Sequence, residues 1–164
     1  IIRWQVIEPR WIPSGSMLPT LQIQDKILVE KLSTKINLKD NLFNLKDNIV
    51  VFKPPETLIK AGYDSDIALI KRVIGIPGDK IEVKDGSLYL NDEIQNKFIT
   101  DKNINYSIGP VIVPENSLWV MGDNRNNSLD SHVWGPLPYK KIIGRAFLRY
   151  WPLNHFGPIY FPAA

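Results

Sequence analysis

Short apolar stretches recur along this chain, each fenced by turn-forming residues. Lys26–Lys31, Asn48–Phe52, Ile67–Ile76, Lys80–Val83, Ser87–Leu90, Val111–Val113 and Leu118–Met121 are rich in β-branched or aromatic side chains, the composition of strands. Breakers separate them: Pro54-Pro55, Pro77-Gly78-Asp79, Lys84-Asp85-Gly86, Gly109-Pro110 and Gly135-Pro136. Asp85-Gly86, between two alternating runs, reads as a hairpin turn. The 13 prolines leave room for no more than a turn or two of helix, around Pro138–Lys141. The pattern predicts an all-β protein built as a coiled antiparallel sheet, barrel-like or sandwich-like, with a small β insertion. Residues 1–78 and 116–164 are expected to form the core unit, and 79–115, with the polar run Asn91–Asn105, the inserted subdomain.

Composition narrows the class. At 164 residues, 44% hydrophobic and 23% charged, the chain is that of a folded domain with a sizeable core. Its net charge of +3 is small, and the basic residues are mixed with acids, so no nucleic-acid footprint emerges. Without cysteine it has neither disulfides nor thiolate metal sites. No uninterrupted apolar run is long enough to span a bilayer. The start, Ile1-Ile2-Arg3-Trp4, lacks an initiator Met and reads as that of a truncated or processed chain, with any membrane anchor lying upstream.

Ser14-Gly15-Ser16-Met17-Leu18-Pro19-Thr20-Leu21 is the first segment with chemical potential. Its proline and glycine exclude an ordinary helix or central strand, so a hydroxyl there can project into a cleft. The second is Lys71, in an otherwise apolar run with Arg72. In a strand, Lys71 shares a face with Leu69 and Val73, and Arg72 with Ala68 and Ile70. Arginine stays charged, whereas a desolvated lysine can lose its proton near neutral pH and act as a base. The plainer reading of Lys71 is an edge-strand lysine whose amine reaches water. The third is Gly122–Pro136, whose small polar side chains can simply pin a surface turn. Within it Ser128 can orient a neutral amine, and Asp130 can anchor a cation. Asp130 and His132 also leave open a Ser16-His132-Asp130 triad.

Taken together, Pro13–Leu21, Lys71–Asp79 and Gly122–Ser131 resemble, in order and near-spelling, the type I signal (leader) peptidases. Asn48-Ile49-Val50-Val51-Phe52-Lys53-Pro54 is similar to that family's remaining box, and the likeness covers nearly the whole chain beyond Glu8. The wording Asn126–Pro136 looks most like the cyanobacterial and plastid branch.

The resemblance implies a serine–lysine dyad, with Ser16 as nucleophile and Lys71 as general base. Ser14 matches the hydroxyl that joins the Ser16 N–H in the oxyanion hole. Ser128 matches the hydroxyl that orients the lysine, and Asp130 a supporting acid. Ile12, Met17, Leu21, Leu69 and Ile70 fall where the family lines shallow pockets for small substrate residues. It further implies a membrane-anchored enzyme, on the plasma or thylakoid membrane, working on the extracytoplasmic or lumenal side. Such an enzyme removes signal peptides from exported preproteins after Ala-x-Ala-like sequences, at the bilayer surface, with no metal, cofactor or nucleic acid. Two departures stand out. His132 replaces a common arginine, turning an Asp–Arg ion pair into an Asp–His contact that weakens once the imidazole loses its proton. Asp47-Asn48 replaces the usual Gly-Asp before the Ile49–Phe52 strand. Aromatics near both ends (Trp4, Trp11, Tyr150, Trp151, Phe156, Tyr160, Phe161) suit a lipid interface, or equally the sheet's core and edges. Rival readings are a self-cleaving serine–lysine repressor, the histidine triad, and a β-sandwich that binds peptides by strand addition. The first needs an Ala-Gly or Cys-Gly scissile pair ahead of Ser16, and the chain's Ala61-Gly62 follows it.

Overall fold

The computed structural model describes residues 7–31, 38–95 and 103–159; Trp4, Tyr160, Phe161 and part of the polar run Asn91–Asn105 lie outside them. Among the described residues the strands are β1 (Ile7–Trp11), β2 (Lys26–Glu30), β3 (Ile49–Phe52), β4 (Leu69–Gly75), β5 (Lys80–Lys84), β6 (Ser87–Leu90), β7 (Glu93–Gln95), β8 (Ile108–Ile112), β9 (Ser117–Met121), β10 (Leu137–Pro138), β11 (Ile142–Trp151) and β12 (Gly157–Pro158). Two short helices, α1 (Glu56–Lys60) and α2 (Ser131–Trp134), and a few 3₁₀ turns complete the elements. The main sheet runs β1-β2-β11-β3-β4-β9-β10 with β12 beside β11; a second has the order β7-β6-β5-β8. Every pairing is antiparallel, and register shifts bend β11 against both β2 and β3. The protein is all-β, its main sheet curled into a half-barrel.

All four β3 residues are buried, and they divide by alternation. Ile49 and Val51 join a cluster with Ile12, Met17, Leu21, Ile27, Val29 and Ile70. Val50 and Phe52 join another with Val73, Leu118, Val120 and Leu137. A strand covered on both faces reads as a continuous apolar run, which is how Ile49–Phe52 is written. Among the described residues the second sheet shares its core with the main sheet. Ile81, Val83, Leu88 and Leu90 pack with Ile74, Trp119 and Met121 of the main sheet. Its first hairpin turns at Asp85 and Gly86, both with positive φ (51° and 80°), the geometry of a type I′ turn.

The strand pattern missed β1 and the ten-residue β11. In β11, Arg145 and Arg149 interrupt the apolar alternation, but each meets a carboxylate: Arg145 pairs with Glu30 at 2.8 Å and Arg149 with Asp25 at 2.9 Å. The expected turn of helix near Pro138 is a 3₁₀ turn at Tyr139–Lys141. Pro54-Pro55 breaks the strand pattern but also opens helix α1: Pro55 precedes the first helical residue, and its carbonyl accepts from the N–H groups of Leu58 and Ile59.

β4 lies between β3 and β9, but only Arg72 pairs with both neighbours; Lys71 pairs with β3 alone, just before the β9 ladder begins. Arg72 is fully buried and forks onto Asp123, with Nε to Oδ1 at 2.9 Å and Nη2 to Oδ2 at 2.8 Å. Its Nη1 donates to the Asp47 carbonyl at 2.7 Å. Asp47 itself holds φ at 67°, so the aspartate occupies the left-handed position where the resemblance leads one to expect glycine. Thr20 Oγ1 donates to Asp123 Oδ2 at 2.5 Å, binding the loop between β1 and β2 to the same carboxylate. Removing one partner of a buried pair strands the other charge. Arg72→Met is therefore expected to lose about 3–5 kcal/mol of unfolding free energy in urea titration, the cost typical of breaking a buried pair.

Candidate active site

Residues 12–25 form the loop between β1 and β2, and its backbone closes on itself. Ile12 N–H donates to the Asp25 carbonyl at 2.8 Å, Leu18 N–H to Gly15 at 3.1 Å, and Leu21 N–H to Met17 at 3.0 Å. Met17 and Leu21 anchor it in the core, leaving Ser14 exposed and Ser16 half-buried. A second loop, following β9, holds the first by its main chain. Asn124 N–H donates to the Ser16 carbonyl at 2.9 Å, and Asn124 Nδ2 to the Gly15 carbonyl at 3.1 Å.

Lys71 lies across from Val50 in the β3–β4 ladder and is 4% exposed. Its Nζ donates to Ser16 Oγ at 2.7 Å, the contact that brings the two sequence-predicted residues together. No carboxylate forms an ion pair with it among the described residues. Removal from water holds its pKa down to about 8, with the nearby Asp130 charge pulling weakly the other way. Such an amine is neutral in about a tenth of molecules at pH 7 and in half of them near pH 8, and it is hydrogen-bonded to a hydroxyl. That is the arrangement of a general base beside a nucleophile.

The other predicted residues are placed as follows. Ser14 Oγ donates to Ser16 Oγ at 3.4 Å, at the mouth of the site. Asp130 is fully buried: Oδ2 accepts from Gly122 N–H at 2.9 Å, and Oδ1 accepts from His132 N–H at 3.1 Å and meets His132 Nδ1. It also caps the N-terminus of α2. His132 stacks on Tyr106 and has no hydrogen bond to Ser16, so the histidine triad is not assembled. Ser128 Oγ is buried, without a hydrogen bond to Lys71 or to any described group. It lies against Gly122, where a built Cβ would overlap both Ser128 and the Ser16 carbonyl. Only glycine lets the two loops approach so closely.

Beside the dyad is a narrow cleft of about 40 Å³ lined by Ile12, Pro13, Ser14, Met17, Ala68, Leu69 and Ile70, together with Ser16 and Lys71. Of the predicted pocket residues, Ile12, Met17, Leu69 and Ile70 line it; Leu21 is buried in the core behind it. Sequence reasoning gave no role to Arg72, Asp123, Asn124 and Gly122. The signal was present in Gly122-Asp123-Asn124, where a small residue, a short acid and a short amide follow a buried strand. Among the described residues no group of His, Asp and Glu side chains is arranged to hold a metal ion.

A family model described as signal peptidase, peptidase S26, matches residues 1–151. The chain belongs to the signal peptidase family. The family is one of serine endopeptidases. The chain is 44% identical over 160 residues to the probable signal peptidase I-1 of Synechocystis sp., covering 97% of this chain and 79% of that protein. It is 43% identical over 158 residues to the signal peptidase I of Leptolyngbya laminosa, covering 96% and 75%. It is 44% identical over 159 residues to the probable thylakoidal processing peptidase 2, chloroplastic, of Arabidopsis thaliana, covering 97% of this chain but 42% of that protein.

The depressed lysine fixes the sign of a stability experiment. Below pH 8 the folded chain must hold a charged, buried ammonium; between pH 8 and the ordinary lysine value of 10.5 only the unfolded chain binds that proton. Lysine 71 therefore costs stability at low pH, and the cost disappears as pH rises through that window. Lys71→Met should be more stable than wild type at pH 7 by about 3 kcal/mol, with the gap narrowing toward pH 10.5, as read by urea unfolding at several pH values.

Proposed function

We propose that this signal peptidase cleaves N-terminal signal peptides from exported preproteins with Ser16 as nucleophile and neutral Lys71 as general base. The observation that carries the reading is the 2.7 Å contact between Lys71 Nζ and Ser16 Oγ in a site where the amine is buried and unpaired by any described carboxylate. In the reacting form the hydroxyl donates to the amine lone pair. Nζ takes the proton as Oγ attacks the scissile carbonyl, and returns it to the leaving amine as the acyl-enzyme forms. Water then hydrolyses the ester, with the same amine as base. Ser16 N–H and Ser14 Oγ are the donors assigned to the tetrahedral oxyanion; such a donor is typically worth about 2.7–4 kcal/mol.

Substrate chemistry follows from the cleft. Leu69, Ile70 and Lys71 pair with β3, whereas β9 joins β4 only from Arg72 onward. That leaves a stretch of β4 backbone open beside residues 12–14. An extended peptide laid there can add as a strand. The narrow cleft, walled by Ile12, Met17, Leu69 and Ile70, suits small apolar side chains, which supports cleavage after Ala-x-Ala-like sequences.

The same end of the sheet supports work at a bilayer surface, on the extracytoplasmic or lumenal side of a plasma or thylakoid membrane. Trp11 and Trp151 both lie in register with Lys26, and with Ile23, Leu153 and Phe156 they form an exposed apolar end from which the Ser16 loop departs. Lys26 Nζ sits 5.7 Å from the Trp151 ring, a cation placed to meet headgroups. No helix among the described residues is long and apolar enough to cross a membrane.

Activity on an Ala-x-Ala reporter peptide should rise with pH through about 8 as Lys71 loses its proton. Lys71→Arg should be as inactive as Ser16→Ala, since guanidinium cannot serve as a base; substantial turnover by Lys71→Arg would refute the dyad. For the surface, replacing Trp151, Leu153 and Phe156 together by serine should reduce co-sedimentation with anionic phospholipid vesicles several-fold while the circular dichroism spectrum is retained. Equal binding by the variant would place those side chains off the membrane.

A further inference from the structure

The second sheet takes no part in the chemistry proposed above, yet the segment leading into β8 grips the loop that carries Asp130. The Tyr106 ring stacks flat on the His132 imidazole, with centroids 3.9 Å apart and 9° between planes. Asn105 N–H donates to Asn126 Oδ1 at 2.8 Å, and Asn126 Nδ2 donates to the Asn103 carbonyl at 2.9 Å. From His132 the contacts continue inward. His132 Nδ1 meets Asp130 Oδ1, Asp130 Oδ2 accepts from Gly122 N–H, and Gly122 abuts the Ser16 carbonyl. Tyr106 therefore stands at the outer end of an unbroken chain of contacts that finishes at the backbone of Ser16.

The chain of contacts works through the ring and not through the hydroxyl. The Tyr106 Oη is buried without a hydrogen bond to any described group, so nothing in the clamp is lost with it. A flat stack also fixes which way the imidazole plane turns, and thereby aims Nδ1 at Asp130. Asp130 has two further N–H donors, but His132 supplies its contact from the side facing the second sheet. We propose that Tyr106 is a positioning residue: its ring locks His132 against Asp130 and so fixes Gly122 and Ser16 relative to Lys71. The proposal rests on the Ser16–Lys71 reading for its kinetic consequence and on the contacts alone for its structural one. Displacing a reacting group by about 1 Å can lower turnover by up to about a hundredfold without weakening substrate binding.

The test compares wild type with Tyr106→Leu, Tyr106→Phe, Leu58→Ala and Ser16→Ala. Leu58 is buried in α1 and belongs to none of the core clusters that hold Tyr106, β9 or the walls of the dyad, so it controls for loss of stability alone. Three readouts are taken: kcat and KM on the Ala-x-Ala reporter, thermal unfolding, and NMR signals of the His132 ring and the Gly122 and Ser16 amides. Tyr106→Leu should lower kcat about tenfold or more with KM within about twofold, and Tyr106→Phe should restore it. Leu58→Ala should melt earlier yet keep kcat. The His132 ring protons should move downfield in Tyr106→Leu, as ring-current shielding is lost, with the two amides shifting as well. Wild-type kcat in Tyr106→Leu, an equal kcat loss in Leu58→Ala, or unmoved His132 signals would overturn the proposal. If wild type matches Ser16→Ala on the reporter, the dyad reading fails. The clamp is then decided by the NMR signals, which support it if they move in Tyr106→Leu alone and overturn it otherwise.

Discussion

A dry amine is the constraint around which this protein is organised. Two cations lie side by side in β4, both buried, and the fold treats them in opposite ways. Arg72 receives a bidentate carboxylate and a backbone carbonyl, which hold its charge in place. Lys71 receives a single hydroxyl and apolar walls, and its removal from water works against its charge. Had Asp123 faced Lys71, the attraction would have returned the pKa toward its ordinary value or above and removed the base. Asp130 is the one nearby acid that pulls in that direction, and its oxygens are already engaged by Gly122 N–H and by His132. Both carboxylates are thus bound to other donors instead of to the amine.

A base is useful only if the hydroxyl stays within reach. Ser16 belongs to an irregular loop that no ladder fixes, so its position is set by attachments at several points. Thr20 is tied to Asp123, Ser16 and Gly15 to Asn124, and the Thr20 carbonyl to Arg149 Nη1 at 3.2 Å. Arg149 also bonds Asp25, whose other neighbour is Gln22 N–H at the far side of the loop. The Arg72–Asp123 pair therefore does two things, neutralising one cation and anchoring the segment that faces the other. Gly122 allows this arrangement, because any side chain there would push the two loops apart.

Much of this was legible in the residue pattern, for identifiable reasons. The continuous apolar run Ile49–Phe52 and the Asp85-Gly86 turn announce their structures locally, since burial on both faces and positive φ each demand particular residue types. β11 was not legible: Arg145 and Arg149 break the alternation, and only Glu30 and Asp25, distant in sequence, show why they are tolerated. β7 was missed for a different reason. Asn91 and Asp92 carry positive φ (53° and 69°) and turn the chain tightly back after β6, a signal the polar stretch concealed. At the site, Ser16 and Lys71 could be singled out by chemistry, but periodicity could not say whether Lys71 lay on an edge. Its place, paired with β3 on one side and just short of the β9 ladder on the other, is a property of the topology. The Ser128 hydroxyl makes no hydrogen bond to Lys71 in this structure, a matter of loop geometry that spelling does not reach.

The two sheets also explain each other. A four-stranded sheet attached only at its ends would hinge freely and transmit nothing to a site on its neighbour. Here Ile81, Val83 and Leu88 share one cluster with Ile74, Trp119 and Met121, and the last two belong to β9, the strand that leads directly into Gly122. Close-packed interiors resist small displacements, so a strand seated in such a cluster delivers the following loop to a reproducible place. The same sheet then returns at Asn103, Asn105 and Tyr106 to hold that loop from outside. The segment from Gly122 to His132 is consequently bounded on one side by the strand before it and on the other by the inserted sheet. A lysine made neutral by burial requires such a boundary, because a loop free to breathe would admit water and restore the charge.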